Sequence, residues 1–185
     1  MFDAIVLAGG AARRLGGADK PALEVGGRSL LDRAVEAVSD AGRTVVAGPR
    51  RPTLREVVWC QEQPPGGGPV AALAAAVSEV RAETVVVLAA DLPWVRPAVP
   101  LLVAALGERI DAAMLASAEG RRNYLAAAWR TQCLRAALRL LPQVSGAAAR
   151  SLYDHARVVE VADRGGWSRD CDTWDEVAAA RRIER

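Results

Sequence analysis

Apolar residues arrive in this chain in two rhythms. In the first they form near-continuous runs, as at residues 2–8 and 84–90. A continuous rather than alternating run suits a strand buried on both faces of a parallel sheet. Shorter runs at 44–47, 57–59, 112–116, 125–129 and 158–161 predict further strands. The second rhythm is helical. Leu31, Ala34, Val35 and Val38 follow a Ser29–Asp32 pair that looks like a capping box, and Gly42 closes the helix. Gly66, Gly67, Gly68 and Pro69 lead into a helix with Val70, Leu73, Val77 and Val80 on one face, proline being suited to a first helical position. Residues 97–106 and 131–141 read as helices, and Thr173 with Glu176 predicts a capped terminal helix ending near Ile183.

Strands alternating with helices at this spacing imply βαβ units, hence an α/β fold of three layers, Rossmann-like, around a mostly parallel sheet. No repeat or long linker divides the 185 residues, so one domain is expected, its nucleotide-binding half about 1–95 and its second half about 96–185.

Composition narrows the function classes. A net charge of +2 argues for neither nucleic acid nor a membrane surface as partner. No apolar run approaches the roughly 20 residues of a membrane span, and no charged region precedes an apolar one at the N-terminus, so the cytoplasm is expected. Cys60, Cys133 and Cys171 form no CxxC pair and His155 is the sole histidine, which speaks against zinc and reads as reduced thiols. Of the 24 cationic side chains only Lys20 is lysine. A lone lysine in an arginine-rich chain marks a position suited to a compact ammonium rather than a planar guanidinium.

Ligands of such sheets bind beyond the carboxyl ends of the strands. After the first predicted strand comes Leu7-Ala8-Gly9-Gly10-Ala11-Ala12-Arg13-Arg14-Leu15-Gly16-Gly17-Ala18-Asp19-Lys20. Glycines let backbone N–H groups approach phosphates or a base, and Arg14 and Lys20 add positive charge. The loop is neither a GxGxxG dinucleotide fingerprint nor a Walker A loop, since Lys20 precedes Pro21 rather than Ser or Thr. The 84–90 run ends at Asp91, placed to carry Mg²⁺ or, more simply, to make a turn before Pro93.

The LAGGxxxR stretch, Leu15-Gly16-Gly17 and Asp19-Lys20 together resemble the nucleotide-binding signature of the molybdenum cofactor guanylyltransferase family, with Leu15 where methionine is usual. The likeness continues through Pro21-Ala22-Leu23, the Asp91-Leu92-Pro93 segment and the loop from Glu62 to Leu73. It implies a fold of the nucleotide-diphospho-sugar transferase type and transfer of GMP from GTP to molybdopterin or the molybdenum cofactor. It implies Mg²⁺ on Asp91, catalytic roles for Arg14, Lys20 and Asp91, and nucleotide contacts from Leu7, Ala8, Gly9, Gly10, Lys20, Glu62 and Asp91. Glu62 is the nearest acidic residue to the family's aspartate before the glycine loop. The asparagine that the family carries after the second strand is absent, replaced by Gly48 and Pro49.

On the acceptor side, Gly120-Arg121-Arg122-Asn123-Tyr124 stands where the family often has His-Pro. Arg121 and Arg122 are suited to a pterin phosphate or form a solvated charge pair. Asp170-Cys171-Asp172-Thr173-Trp174-Asp175-Glu176 resembles the family's closing DxDTPED-like segment, with Trp174 in place of proline, and puts Asp172 near the metal or the acceptor. The partners implied are GTP, a phosphorylated pterin, and transient contact with proteins that deliver the cofactor or receive it. Alternatives left open are a CTP-using or other-acceptor transferase and a non-catalytic nucleotide-binding domain.

Overall fold

A computed structural model describes residues 1–10 and 15–183. The chain begins with β1 (Asp3–Leu7), and a 3₁₀ turn at Lys20–Ala22 precedes a small hairpin, β2 (Glu24–Val25) and β3 (Arg28–Ser29). There follow α1 (Leu30–Ala37), β4 (Thr44–Ala47), β5 (Val58–Cys60), α2 (Pro69–Ala76), β6 (Thr84–Ala89), α3 (Ala98–Ala104) and β7 (Ala112–Ala116). The remainder comprises β8 (Arg122–Arg130), α4 (Thr131–Leu140), β9 (Val158–Ala162) and α5 (Trp174–Ile183).

Seven strands form one sheet in the order β5-β4-β1-β6-β8-β7-β9. Every pairing within it is parallel except the two made by β8, which runs against β6 and β7. Alternate residues of each strand face opposite sides, as the pleat requires. Ala4, Val6 and Ala8 therefore join Val86 and Leu88 under α1 and α3. Ile5 and Leu7 join Val85 and Val87 under α2 and α4. Both faces are buried, which is why the central strands carry continuous rather than alternating apolar runs.

Polar groups are used sparingly inside. Asp3, 4% exposed, accepts the Arg81 and Ala82 N–H groups at 2.7 and 2.9 Å and so fixes the entry to β6. Trp129, the largest fully buried side chain, donates its indole N–H to the Tyr153 hydroxyl at 3.2 Å, and that hydroxyl donates to the Tyr124 carbonyl at 2.8 Å. A separate small apolar cluster joins the β2–β3 hairpin to α5 through Val25, Leu30, Cys171, Val177 and Ala180. Through it the last helix is anchored beside the loop that follows β1.

The two caps differ. Thr173 and Glu176 form a reciprocal box, each backbone N–H bonding the other's side chain at 2.7 and 3.3 Å. At α1 the Ser29 hydroxyl caps the Asp32 N–H at 2.9 Å, but the Asp32 carboxylate turns to that hydroxyl and to the Leu54 N–H at 2.7 and 2.8 Å. The second half of the expected box is thus spent on tying down the loop after β4.

Candidate active site

Six of the seven sheet strands point their carboxyl ends the same way, and a cleft of about 750 Å³ opens there. The loops after β1, β4 and β6 form its floor and flanks, with Leu7, Gly9, Gly10, Gly48, Pro49, Ala90 and Asp91 among its lining residues. Gly66, Gly68, Pro69 and Ala72 bring the N-terminal turn of α2 to the same space. Backbone N–H groups at a helix start favour anions. Gly10 has φ +125°, a conformation that side chains rarely adopt, so its place on the rim depends on the missing β-carbon.

Lys20 and Pro21 enter from the 3₁₀ turn, where Pro21 is buried. The Lys20 ammonium is hydrogen-bonded to both Asp91 Oδ2 and Asp172 Oδ1. Burial works against its charge, but Asp91 and Asp172 outweigh that effect and raise its pKa. Asp170, next in line, is pushed up by its burial and then by the Asp172 and Asp91 carboxylates. Residues from positions 20, 91 and 172 therefore form one charge cluster on the cleft wall.

The other Asp91 oxygen, Oδ1, is buried and has no hydrogen-bond partner among the described residues. Two carboxylates converging on one nitrogen, one of them with a buried oxygen left over, make a hard-oxygen donor set. That set fits Mg²⁺, which takes one or two carboxylates and completes its shell with water and phosphate oxygens. Among the described residues no group of three or more His, Cys, Asp or Glu side chains is arranged for a fully protein-ligated metal.

Expected site residues fall into four groups. Leu7, Gly9, Gly10, Lys20, Glu62, Asp91 and Asp172 all line the cleft. Glu62 is partly engaged, accepting the Gly66 N–H at 3.0 Å and holding the turn before α2. Ala8 lies behind the wall: fully buried, its N–H bonds Ala47 and its carbonyl accepts Arg51. Arg14 lies outside the described residues. Arg121 and Arg122 line a second cleft of about 1080 Å³, which shares Leu125 with the first. Arg122 is there paired with Glu160, Nε to Oε1 at 2.7 Å, while Arg121 is exposed. Because β8 runs opposite to its neighbours, the beginning of this strand, not its end, reaches the functional edge of the sheet.

Sequence reasoning missed several lining residues. Gln61 borders the first cleft, and Trp94, Arg164 and Arg169 the second. None carries a periodicity or spacing signal; only topology gathers them. Gly48 had drawn notice solely as a departure from a familial asparagine. The structure gives it a positive reason: at φ +144°, a β-carbon there would stand 2.8 Å from the Ala8 carbonyl carbon and oxygen.

Glycine-lined at one end and charged at the other, this space has the character of a site for a phosphate-bearing ligand above an α/β sheet. Sequence comparison places the chain more closely. It belongs to the MobA-like NTP transferase domain family, whose profile matches residues 4–161. It is 30% identical over 128 residues to the molybdenum cofactor guanylyltransferase of Shewanella sp. (strain ANA-3), covering 66% of this chain and 64% of that protein. The chain thus spans just under two thirds of that relative's length. With the molybdenum cofactor guanylyltransferase of Acidiphilium cryptum (strain JF-5) it shares 34% identity over 159 residues, 79% of this chain and 78% of that one. The crystal structure of 2-C-methyl-D-erythritol 4-phosphate cytidylyltransferase from Thermus thermophilus superposes with TM-score 0.75 at 22% identity, covering 100% of both chains. The fold is accordingly the Rossmann-like sandwich of nucleotide-diphospho-sugar transferases. Among the described residues no helix is long and apolar enough to cross a membrane.

Proposed function

We propose that this chain is a nucleotidyltransferase that moves GMP from GTP to the phosphate of molybdopterin or the molybdenum cofactor. The observation carrying the proposal is the convergence of Lys20, Asp91 and Asp172 on one wall of a glycine-lined cleft. In this reading an acceptor phosphate oxygen attacks the α-phosphorus in line. The bond from that phosphorus to the bridging oxygen breaks, and pyrophosphate leaves with the electron pair. Such chemistry needs positioning and charge stabilisation rather than a protein nucleophile.

The glycine loop and the start of α2 would hold the nucleotide, with Leu7 on the floor and Glu62 at the edge. Lys20, and Arg14 by family resemblance, would neutralise charge on the triphosphate and the leaving group. Asp91, joined by Asp172, would hold Mg²⁺, which when bound supplies further neutralisation of phosphate oxygens. The second cleft, with Arg121 and Arg122, is the acceptor side in this scheme, adjoining the nucleotide across Leu125. The cytoplasm is the proposed location, in keeping with three free thiols. Transient contact with proteins that deliver or receive the cofactor belongs to the same reading.

Calorimetric titration with GTP, CTP, ATP and UTP, with and without Mg²⁺, followed by pyrophosphate release with molybdopterin, tests the proposal. Mg²⁺-linked preference for GTP and acceptor-dependent release are expected. Preference for CTP would favour a second reading, cytidylyl transfer, which the likeness to the Thermus enzyme keeps in view. Binding without release would leave a nucleotide-binding domain. Lys20→Ala and Asp91→Ala should each lower turnover by about 10²-fold or more, the scale of losing a group that stabilises transition-state charge. Retention of the thermal midpoint in both variants would separate this loss from unfolding. Wild-type turnover in either would remove that residue from the mechanism.

A further inference from the structure

Nearly all the donors of Arg51 are committed. Its Nε bonds both Asp19 carboxylate oxygens at 2.9 Å, and Nη2 bonds Asp19 Oδ1 at 2.7 Å. Nη1 donates to the Ala8 carbonyl at 3.0 Å and to the Pro49 carbonyl at 2.8 Å. Its side chain is only 15% exposed, although Asp19 is 52% exposed. An ordinary surface ion pair contributes little. A forked guanidinium held at four acceptors from three chain segments is a different object, because its rigid geometry fixes those segments relative to one another.

The positions of those acceptors give the arrangement its meaning. Ala8 is the residue before Gly9 and Gly10, and Asp19 is the residue before Lys20. Arg51 therefore grips both ends of the glycine-rich loop and ties them to the segment after β4. Gly48 permits this, since only without a β-carbon does that segment run against the Ala8 backbone. We infer that Arg51 is a positioning residue: a clasp that sets the separation of the loop's two ends and thereby the placement of Lys20 in the cleft. This rests on the nucleotidyltransferase reading for its functional consequence, but not for its structural one.

A lysine at 51 cannot make the fork, so Arg51→Lys should behave as a loss, like Arg51→Ala. Asp19→Asn removes the charge of the partner. Two measurements test the clasp. The first is amide hydrogen exchange of residues 15–20 in the ligand-free protein. Arg51→Ala should speed it at least about tenfold while exchange in β1 and β6 and the thermal midpoint stay near wild type. The second is GTP binding with Mg²⁺. Arg51→Ala, Arg51→Lys and Asp19→Asn should each weaken it about tenfold, and the Asp19→Asn/Arg51→Ala double variant should be little worse than either single one. Unchanged exchange at 15–20, or uniform loosening of the whole sheet, would overturn the clasp. So would fully additive losses of affinity. If the wild type bound no nucleoside triphosphate, the functional reading would fall, and the exchange experiment alone would still decide the clasp.

Discussion

Gly48 shows how much one missing β-carbon decides. A methyl group there meets the Ala8 carbonyl at 2.8 Å, in a backbone conformation of φ +144° that side chains resist. Neither neighbour is the free end of a flexible side chain, so the strand ends themselves must move. Gly48→Ala is expected to cost about 1–3 kcal/mol, the scale of a strained backbone position, read by urea denaturation. It should also weaken nucleotide binding by parting the β1 and β4 loops. A variant of wild-type stability and affinity would show that these loops separate freely. At this scale the sequence was partly legible. Lys20 stood out as a solitary lysine and Asp91 as the end of an apolar run, and the structure brings them together. Asp19 and Arg51 were illegible as a pair, because an ion pair between loops leaves no periodic trace.

Elements were legible where burial imposes a pattern. Expected strands at 44–47 and 112–116 coincide with β4 and β7, and the 131–141 helix with α4 to within a residue. The two-residue strands β2 and β3 escaped notice, being too short for any alternation to register. Nor does an apolar run announce direction: β8 reads like its parallel neighbours yet runs against them. The start of β7 is stapled to β9 in a way that only the structure reveals. Asp111 accepts the Arg157 backbone N–H at 2.8 Å and its Nε and Nη2 at 3.0 and 2.8 Å. Those hydrogen bonds, the guanidinium's foremost, outweigh burial and bring the Asp111 pKa down to about 2. An acid held below its unfolded value of about 3.9 stabilises the fold above that pH and loses the contribution as pH falls. Stability should therefore decline between about pH 4 and pH 2 by roughly 1–2 kcal/mol from this group, its exposed partner weakening the effect. Asp111→Asn should flatten that part of the pH–stability profile, and an unaltered slope would assign the acid sensitivity elsewhere.

Across the whole molecule, the three-layer class followed from alternation of strands and helices, and the site's location followed from the sheet's polarity. What alternation does not convey is how the far end of the chain returns. Asp172 meets Lys20 across 152 positions, carried there by the packing of α5 on the β2–β3 hairpin. The family profile ends at 161, short of that aspartate. For recombination among relatives this sets an inheritance rule. Positions 20, 91 and 172 are expected to descend as a set, together with the apolar contacts that hold α5 to the hairpin. A chimera joined between 92 and 169 takes its ammonium from one parent and its second carboxylate, with its supporting helix, from the other. Such hybrids are expected to keep the sheet, by circular dichroism, but to bind nucleotide weakly until Val25 and Leu30 are matched to the incoming Val177 and Ala180. Crossovers before position 20 or after position 180 part no members of the set, so exchangeable breakpoints should crowd toward the termini rather than toward the middle of the gene.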